Sequence, residues 1–164
     1  MGIEIRPMYD DDTNDVVQLS LRAWEPVFHS LRETMGDPLF DHFYGADWRS
    51  YQGADVRRAC ATFRALVAED DGVVVGFTAV DLTEGRTEGE IYMLAVDPDA
   101  QGRGVGTALT QAGIEMIREA GFPLALVGTG GDPGHAAARA TYRKAGFTPV
   151  PGEQLYLLLE GVGD

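Results

Sequence analysis

The stretch GEIYMLAVDPDAQGRGVGTALTQA, residues 89–112, decides the fold because it joins a strand to a helix through a glycine-rich loop. Residues 91–96 are apolar and β-prone, Asp97-Pro98 ends that run, and apolar residues recur at helical spacing from about Val105. Three glycines occupy the junction, at Gly102, Gly104 and Gly106. Glycine lets the backbone approach a ligand, and the N–H groups at a helix start favour an anion. The pattern predicts a pyrophosphate site.

Two common phosphate loops do not fit this spacing. A P-loop needs Lys and then Ser or Thr after its last glycine, whereas Gly106 is followed by Thr107 and Ala108. The dinucleotide fingerprint G-x-G-x-x-G needs a third glycine where the chain has Thr107 or Leu109, depending on the start chosen. What remains is Q-x-x-G-x-G at residues 101–106, in which Gln101 and Arg103 can add side-chain donors.

The pattern at residues 101–106 resembles the acetyl-CoA loop of the GNAT-type N-acetyltransferase family. Residues 94–98 resemble that family's central strand and its exit, and residues 138–147 resemble its second signature, a helix with a tyrosine shortly before Gly-Phe. The resemblance spans roughly Val73 to Phe147. It implies an α/β (α+β) GNAT fold, in which helices flank a mixed, mostly antiparallel sheet and a splayed cofactor cleft opens between strands 4 and 5.

The resemblance implies that acetyl-CoA is the cosubstrate. The central strand would bind the pantetheine arm through its backbone, beside a bulge and a strand that splays away, with the N–H near Leu94 facing the thioester oxygen. His135 stands where many relatives carry asparagine, and we expect it to contact the cofactor or to cap the following helix. The residues expected at the cofactor are Leu94, Ala95, Val96, Gln101, Gly102, Arg103, Gly104, Val105, Gly106, Thr107 and His135.

Two residues fall where the family places catalytic groups. Tyr142 matches the general acid that protonates the departing thiolate, although it is also placed as an ordinary residue of an amphipathic helix. Glu90 matches the base that takes the amine proton, provided that burial raises its pKa. The alternative for Glu90 is a charge that only solvates the start of the strand, since other members use another carboxylate or ordered water.

Composition limits the class of protein. The 164 residues are 45% hydrophobic and 24% charged, which predicts one globular domain, residues 1–164. No apolar run reaches a membrane span, and residues 1–7 lack the apolar core of a signal peptide, so we expect a cytoplasmic protein. The lone Cys60 excludes an internal disulfide, and the scattered histidines argue against a metal site.

The net charge of −13 argues against nucleic acid as a partner, because phosphate binding needs clustered Lys and Arg. An acidic field attracts a cationic substrate, or it only keeps the protein soluble. Aromatic residues are concentrated in the first two helical segments, at Trp24, Phe28, Phe43, Tyr44, Trp48 and Tyr51. They form either a pocket for an amine or the ordinary core of these helices.

The remaining elements follow from hydrophobic periodicity and turn residues. We expect strands at residues 3–6, 65–69, 73–82, 124–127 and 154–160, and helices at 14–31, 37–61 and 136–145. Pro26 should bend or end the first helix near Trp24, and Gly45 and Gly53 should interrupt the second. The strand at 154–160 is also where two copies could pair in a homodimer.

These patterns together predict an N-acetyltransferase that acts on the primary amine of a small, cationic metabolite or antibiotic. A protein N-terminus or lysine is the alternative acceptor. A module of another class, which binds or senses acyl-CoA without catalysis, is the alternative function.

Overall fold

A five-stranded sheet forms the centre of the fold in the computed structural model, which describes residues 2–163. Its strands are β1 (Ile3–Pro7), β2 (Arg64–Asp70), β3 (Val73–Asp81), β4 (Gly89–Val96) and β5 (Ala125–Val127). The strands lie in chain order; β1 to β4 are antiparallel to their neighbours, and β5 runs parallel to β4. This sheet confirms the mixed, mostly antiparallel arrangement.

The turn between β2 and β3 shows how local sequence determines the hairpin. Asp71 and Gly72 both adopt positive φ, at 49° and 81°. Two consecutive left-handed residues twist the chain in the sense that two antiparallel strands require. The two residues therefore close the hairpin between β2 and β3.

Within residues 2–163, five α-helices cover the two faces of the sheet. They are α1 (Thr13–Met35), α2 (Asp37–Tyr44), α3 (Trp48–Thr62), α4 (Val105–Glu119) and α5 (Ala136–Lys144). On one face, Val17 of α1 and Val56 of α3 pack in one cluster with Phe77. On the other face, Leu109 and Ile117 of α4 pack on β2, β3 and β4. The core thus lies in two layers, with the sheet between them.

Two details of the helices differ from the prediction. Pro26 lies inside α1, which does not end near Trp24, because residues on both sides of the proline are buried, including Leu19 and Phe28. The second helical segment breaks at Gly45 as predicted, where φ is 71°. It does not break at Gly53, which lies within α3. Gly53 lies where α3 packs on α1, and a Cβ there would make an ordinary 3.6 Å contact with Val17.

The strand predicted at residues 154–160 is wrong. The structure forms no strand there, and the apolar side chains are exposed, with Leu155 at 86% and Leu157 at 83%. A β-prone run needs a neighbouring strand to satisfy its backbone groups, and the sheet described for residues 2–163 ends at β5. A homodimer that pairs through this run stays a prediction, without a formed strand behind it.

Asp12 connects α1 to the edge of the sheet. Its carboxylate accepts two hydrogen bonds from the Arg6 guanidinium, at 2.8 and 3.0 Å, and one from the Tyr9 amide at 2.7 Å. The hydrogen bonds from Arg6, more than any other cause, hold the pKa of Asp12 below its ordinary value. A carboxyl with a lowered pKa stabilises the fold above its unfolded pKa, and that contribution is lost as the pH falls through the folded pKa.

Asp12→Asn should therefore lower the free energy of unfolding by about 2 kcal/mol at neutral pH, because a buried charged acceptor is removed from Arg6. Urea unfolding should show this difference shrinking in acid, where Asp12 of the wild type becomes protonated. The neighbouring, exposed Asp11→Asn is the control and should change little at either pH. A difference between wild type and Asp12→Asn that is equally large in acid would contradict this account.

Candidate functional site

A cleft opens where β4 and β5 separate. The two strands pair only from Gly89 opposite Ala125 to Ile91 opposite Val127, whereas β4 continues to pair with β3 as far as Val96. Among residues 2–163, no strand lies beside the second half of β4 on this side. The expected splayed cleft is confirmed, and it exposes one backbone edge of β4 to a ligand.

A bulge in β4 lies beside this cleft. Met93 is opposite Ala79 and Ile91 is opposite Val80, so Tyr92 has no counterpart in β3. Tyr92 and Met93 both pack toward the α1 and α3 side, whereas Ile91 packs on the α4 side. The extra residue therefore turns two consecutive side chains toward the same face, at the point where β4 leaves β5.

The loop before α4 has the geometry of an anion site. Gly102 and Gly104 have φ values of 78° and 82°, which favour glycine, and an added Cβ at either would meet no atom within 4 Å. Gly104 is the N-cap of α4 and provides no side-chain hydrogen bond to the helix. The first N–H groups of a helix have no partner within it, so those of Val105 to Thr107 can bind an anion.

The polar side chains of this loop have partners within the protein. Gln101 donates to the carbonyl oxygen of Val96 at 3.2 Å, and Arg103 forms a 2.8 Å ion pair with Asp70 of β2. These contacts connect the loop to the ends of β4 and β2. Only one nitrogen of the half-exposed Arg103 guanidinium is engaged, so the loop presents its remaining side-chain donors together with the backbone amides.

A cavity of about 410 Å³ lies next to the bulge, between α1, α3, β4 and α5. Its lining includes Leu94, Gly128, Thr129 and His135, and Asp55 lies at its α3 side. Its aromatic lining consists of Trp24, Phe28, Tyr44, Tyr51, Tyr92 and Tyr142. The cavity therefore meets the free edge of β4 at Leu94.

Tyr142 is held in this cavity by the turn that ends α5. Gly146, with φ 107°, reverses the chain so that the Phe147 amide donates to the Tyr142 carbonyl oxygen at 3.1 Å. The Phe147 ring then packs edge-on against the Tyr142 ring, with centroids 6.1 Å apart. Burial raises the pKa of Tyr142 to about 12, so the phenol is neutral and can donate a hydrogen bond at physiological pH.

Glu90 has a different environment. Its carboxylate accepts a 2.9 Å hydrogen bond from Arg86, which also binds Asp81 at 2.8 Å. Glu90 is not among the residues that line the cavity. The structure therefore brings Tyr142, Leu94 and His135 together around one space, and it pairs Glu90 with Arg86 at the start of β4.

A family model for the Acetyltransferase (GNAT) family matches residues 24–147, which include the loop before α4 and the helix that carries Tyr142. The chain belongs to this family. The family predicted from the Q-x-x-G-x-G loop and the Tyr–Gly–Phe helix is confirmed. Among residues 2–163 of this GNAT chain, no helix has the length and apolarity to cross a lipid bilayer.

Relatives and solved folds agree with this assignment. A mycothiol acetyltransferase from Saccharomonospora viridis is 42% identical over 170 residues, covering 94% of this chain and 49% of the relative. The PaiA N-acetyltransferase from Thermoplasma acidophilum, solved in complex with coenzyme A, has a TM-score of 0.68 at 15% identity, over 93% of this chain and 94% of that one. A GNAT family acetyltransferase from Brucella melitensis, solved with acetyl-CoA, has a TM-score of 0.61 at 25% identity, over 90% and 84%.

The curated relatives are longer proteins. This GNAT chain spans half or less of the length of the curated relatives that it matches. The similarity to them therefore covers only part of each relative.

The sequence left open which aromatic residues of the first two helical segments form a pocket. The structure places some of them at the cavity and others outside its lining. Trp24, Phe28, Tyr44 and Tyr51 line the cavity, whereas Phe43 packs against Tyr156. Trp48 stacks on Phe28 with centroids 4.3 Å apart, outside the cavity lining. Residues that the sequence reasoning missed are Asp132, which contacts His135, and Ser30, which donates a hydrogen bond to Asp132. The spacing of Asp132 three residues before His135 was the one available signal.

Proposed function

We propose that this GNAT chain is an acetyl-CoA-dependent N-acetyltransferase that acts on the primary amine of a small, cationic molecule. One observation carries the proposal. The cavity with Tyr142 meets β4 at its bulge, the free edge is the second half of β4, and the uncapped start of α4 follows the end of that strand, so the three lie in order along β4. This order suits a long ligand with a diphosphate, an amide-containing arm and a reactive end.

The residues fit acetyl-CoA on chemical grounds. The amides of Val105, Gly106 and Thr107 would hold the diphosphate, since a helix start favours negative charge. The unpaired edge of Leu94–Val96 would hydrogen-bond the amide groups of the pantetheine arm, as an added strand does. Acetyl-CoA supplies an acyl group that is activated as a thioester.

Around the reacting carbonyl, the protein would act mainly through hydrogen-bond donors. The backbone N–H near Leu94 would polarise the carbonyl oxygen, and the neutral Tyr142 hydroxyl would donate to the sulfur as negative charge develops there. The resemblance to relatives assigns proton removal from the amine to Glu90, which Arg86 holds at 2.9 Å. That role stays a prediction, and an acidic limb of the pH–rate profile that is unchanged in Glu90→Gln would exclude it.

The walls of the cavity favour a small cationic acceptor over a protein. Aromatic side chains make up much of the lining and attract cations, whereas Asp55 at the α3 side is paired with Arg58. The net charge of −13 raises the local concentration of a cation further. The curated relatives are named for mycothiol, a small molecule, which favours the same class.

The test is release of free thiol from acetyl-CoA in the presence of matched acceptors. We expect turnover with a primary amine on a cationic, partly apolar molecule, and at least about tenfold lower kcat/KM for its neutral analogue. A peptide with a free N-terminus and a lysine is the third acceptor. Turnover with the peptide alone would indicate a protein acetyltransferase. Binding of acetyl-CoA without turnover of any acceptor would indicate an acyl-CoA-binding module and would contradict the proposal.

A further inference from the structure

The loop between β5 and α5 holds a buried carboxylate in contact with a histidine. The Asp132 side chain is only 5% exposed, and its Oδ1 contacts Nδ1 of His135. Its Oδ2 accepts hydrogen bonds from the Ser30 hydroxyl at 2.6 Å and the Gly134 amide at 3.1 Å. Burial raises the pKa of Asp132, but the hydrogen bonds from Ser30 and His135 outweigh it, so the net shift is downward and the group is ionised.

The contact between Asp132 and Nδ1 determines which ring nitrogen of His135 can accept a hydrogen bond from a ligand. An ionised carboxylate only accepts hydrogen bonds, so Nδ1 of His135 carries the proton of the neutral ring. Nε2, on the far side of the ring, is then a free acceptor, and His135 lines the cavity with 23% of its side chain exposed. Ser30 donates to Asp132 and not to the histidine, so the three residues are not arranged as a serine nucleophile with its base.

The loop is built tightly around this pair. Arg139 of α5 donates to the carbonyl oxygens of Gly130 and Asp132, each at 2.7 Å. A Cβ at Gly130 would lie within 2.5 Å of both Asp132 Oδ1 and His135 Nδ1. The glycine therefore leaves the space that the carboxylate and the imidazole fill. Asp132 contacts the imidazole and is itself held by Ser30 of α1, while Arg139 of α5 holds the loop backbone, so the ring has a fixed partner.

We propose that His135 Nε2 accepts the proton of the attacking amine and that Asp132 is its positioning residue. The inference rests on the proposed function. The amine nitrogen forms a C–N bond to the acyl carbon while the C–S bond breaks. The N–H proton passes to His135 Nε2, the sulfur takes the Tyr142 hydroxyl proton, and water in the cavity returns a proton from the imidazolium to the Tyr142 oxygen. The products are an amide and a free thiol, and the protein ends in its starting state.

This assignment differs from the one that the family resemblance gives. Glu90 is bound to Arg86 and lies outside the cavity lining, whereas His135 shares that lining with Tyr142 and Leu94. His135 is also the N-cap residue of α5, yet its side chain makes no hydrogen bond to the helix. The ring is therefore not used as a cap, and its free nitrogen is directed by Asp132.

The first test compares His135→Gln with His29→Gln, a control at an exposed position of α1. We expect His135→Gln to lower kcat about a hundredfold, as for loss of a general base, while the calorimetric affinity for acetyl-CoA changes by no more than about twofold. His29→Gln should change neither. Imidazole added to His135→Ala should restore part of the amide formation, and a series of substituted imidazoles should restore more as their basicity rises.

The second test determines which nitrogen of the His135 ring carries the proton, and it does not depend on turnover. Of the three histidines, His135 is assigned in ¹⁵N NMR spectra by the signals lost in His135→Gln. We expect the neutral ring to carry its proton on Nδ1 in the wild type and on Nε2 in Asp132→Asn, because the new amide donates to Nδ1. Asp132→Asn should lower kcat together with this change.

Four results would overturn the role of His135. They are unchanged kcat in His135→Gln, a loss confined to acetyl-CoA affinity, loss of turnover in Glu90→Gln but not in His135→Gln, and a wild-type ring protonated on Nε2. Absence of turnover by the wild type with every amine would instead remove the proposed function, and with it the step assigned to His135, even if the Nδ1 tautomer is observed. The two failures are therefore distinguishable.

Discussion

Gly106→Glu should weaken acetyl-CoA binding at least about a hundredfold, or about 3 kcal/mol, while the fold is kept. The new carboxylate would stand in the first turn of α4, where the backbone amides are assigned to the diphosphate. A Cβ at Gly106 would meet only the Val96 side chain, at an ordinary 3.7 Å. An acidic residue in the first turn of a helix is itself stabilising, so the loss should come from repulsion and competition at the anion site.

Calorimetry with acetyl-CoA measures this loss, and thermal unfolding reports on the fold. Gly106→Gln, of similar size but uncharged, is the matched control and should lose much less affinity. Gly104 is a poorer position for the test because its φ of 82° makes any side chain strained. Wild-type affinity in a folded Gly106→Glu would refute the assignment of this loop to the diphosphate.

Tyr142→Phe should lower kcat about a hundredfold to a thousandfold and leave acetyl-CoA affinity nearly unchanged. The substitution removes only the hydroxyl, and the edge-on contact of the ring with Phe147 is retained. Because burial raises the pKa of Tyr142 to about 12, the wild-type hydroxyl is a donor throughout the usual assay range. Its loss should therefore lower the rate by a similar factor from neutral to mildly alkaline pH.

Single-turnover and steady-state kinetics with a competent amine would measure the effect of Tyr142→Phe. Tyr51→Phe, which removes a hydroxyl from another wall of the same cavity, is the control and should affect KM for the amine more than kcat. Unaltered turnover in Tyr142→Phe would exclude this phenol from the reaction. A parallel loss of acetyl-CoA affinity would indicate a binding role.

Much of the fold could be predicted because its determinants are local. The strand-to-helix junction at residues 89–112 and the Asp71-Gly72 turn each depend on neighbours in sequence. The errors arose where tertiary packing decides. Residues 154–160 are β-prone but lack a neighbouring strand, and of the bend or end expected at Pro26 the end does not occur, because α1 is buried on both sides of the proline.

Those parts of the candidate site that belong to sequence motifs could be predicted. The loop at residues 101–106 was predicted from its glycine spacing, and Tyr142 from the resemblance of its helix to the family's second signature. The contact of Ser30 with Asp132 joins residues 102 positions apart, so no local pattern reveals it. Likewise, the pairing of Glu90 with Arg86 depends on how the loop before β4 folds back onto the strand.

The central claim is that backbone amides at the start of α4 and along the free edge of β4 bind acetyl-CoA. The most direct measurement is a titration of the ¹⁵N-labelled chain with CoA, followed by amide NMR signals. The account predicts the largest, saturable changes at residues 102–107 and at 92–96, with smaller changes at β1 and the β2–β3 turn. Saturating CoA that leaves both of these segments unchanged would contradict it.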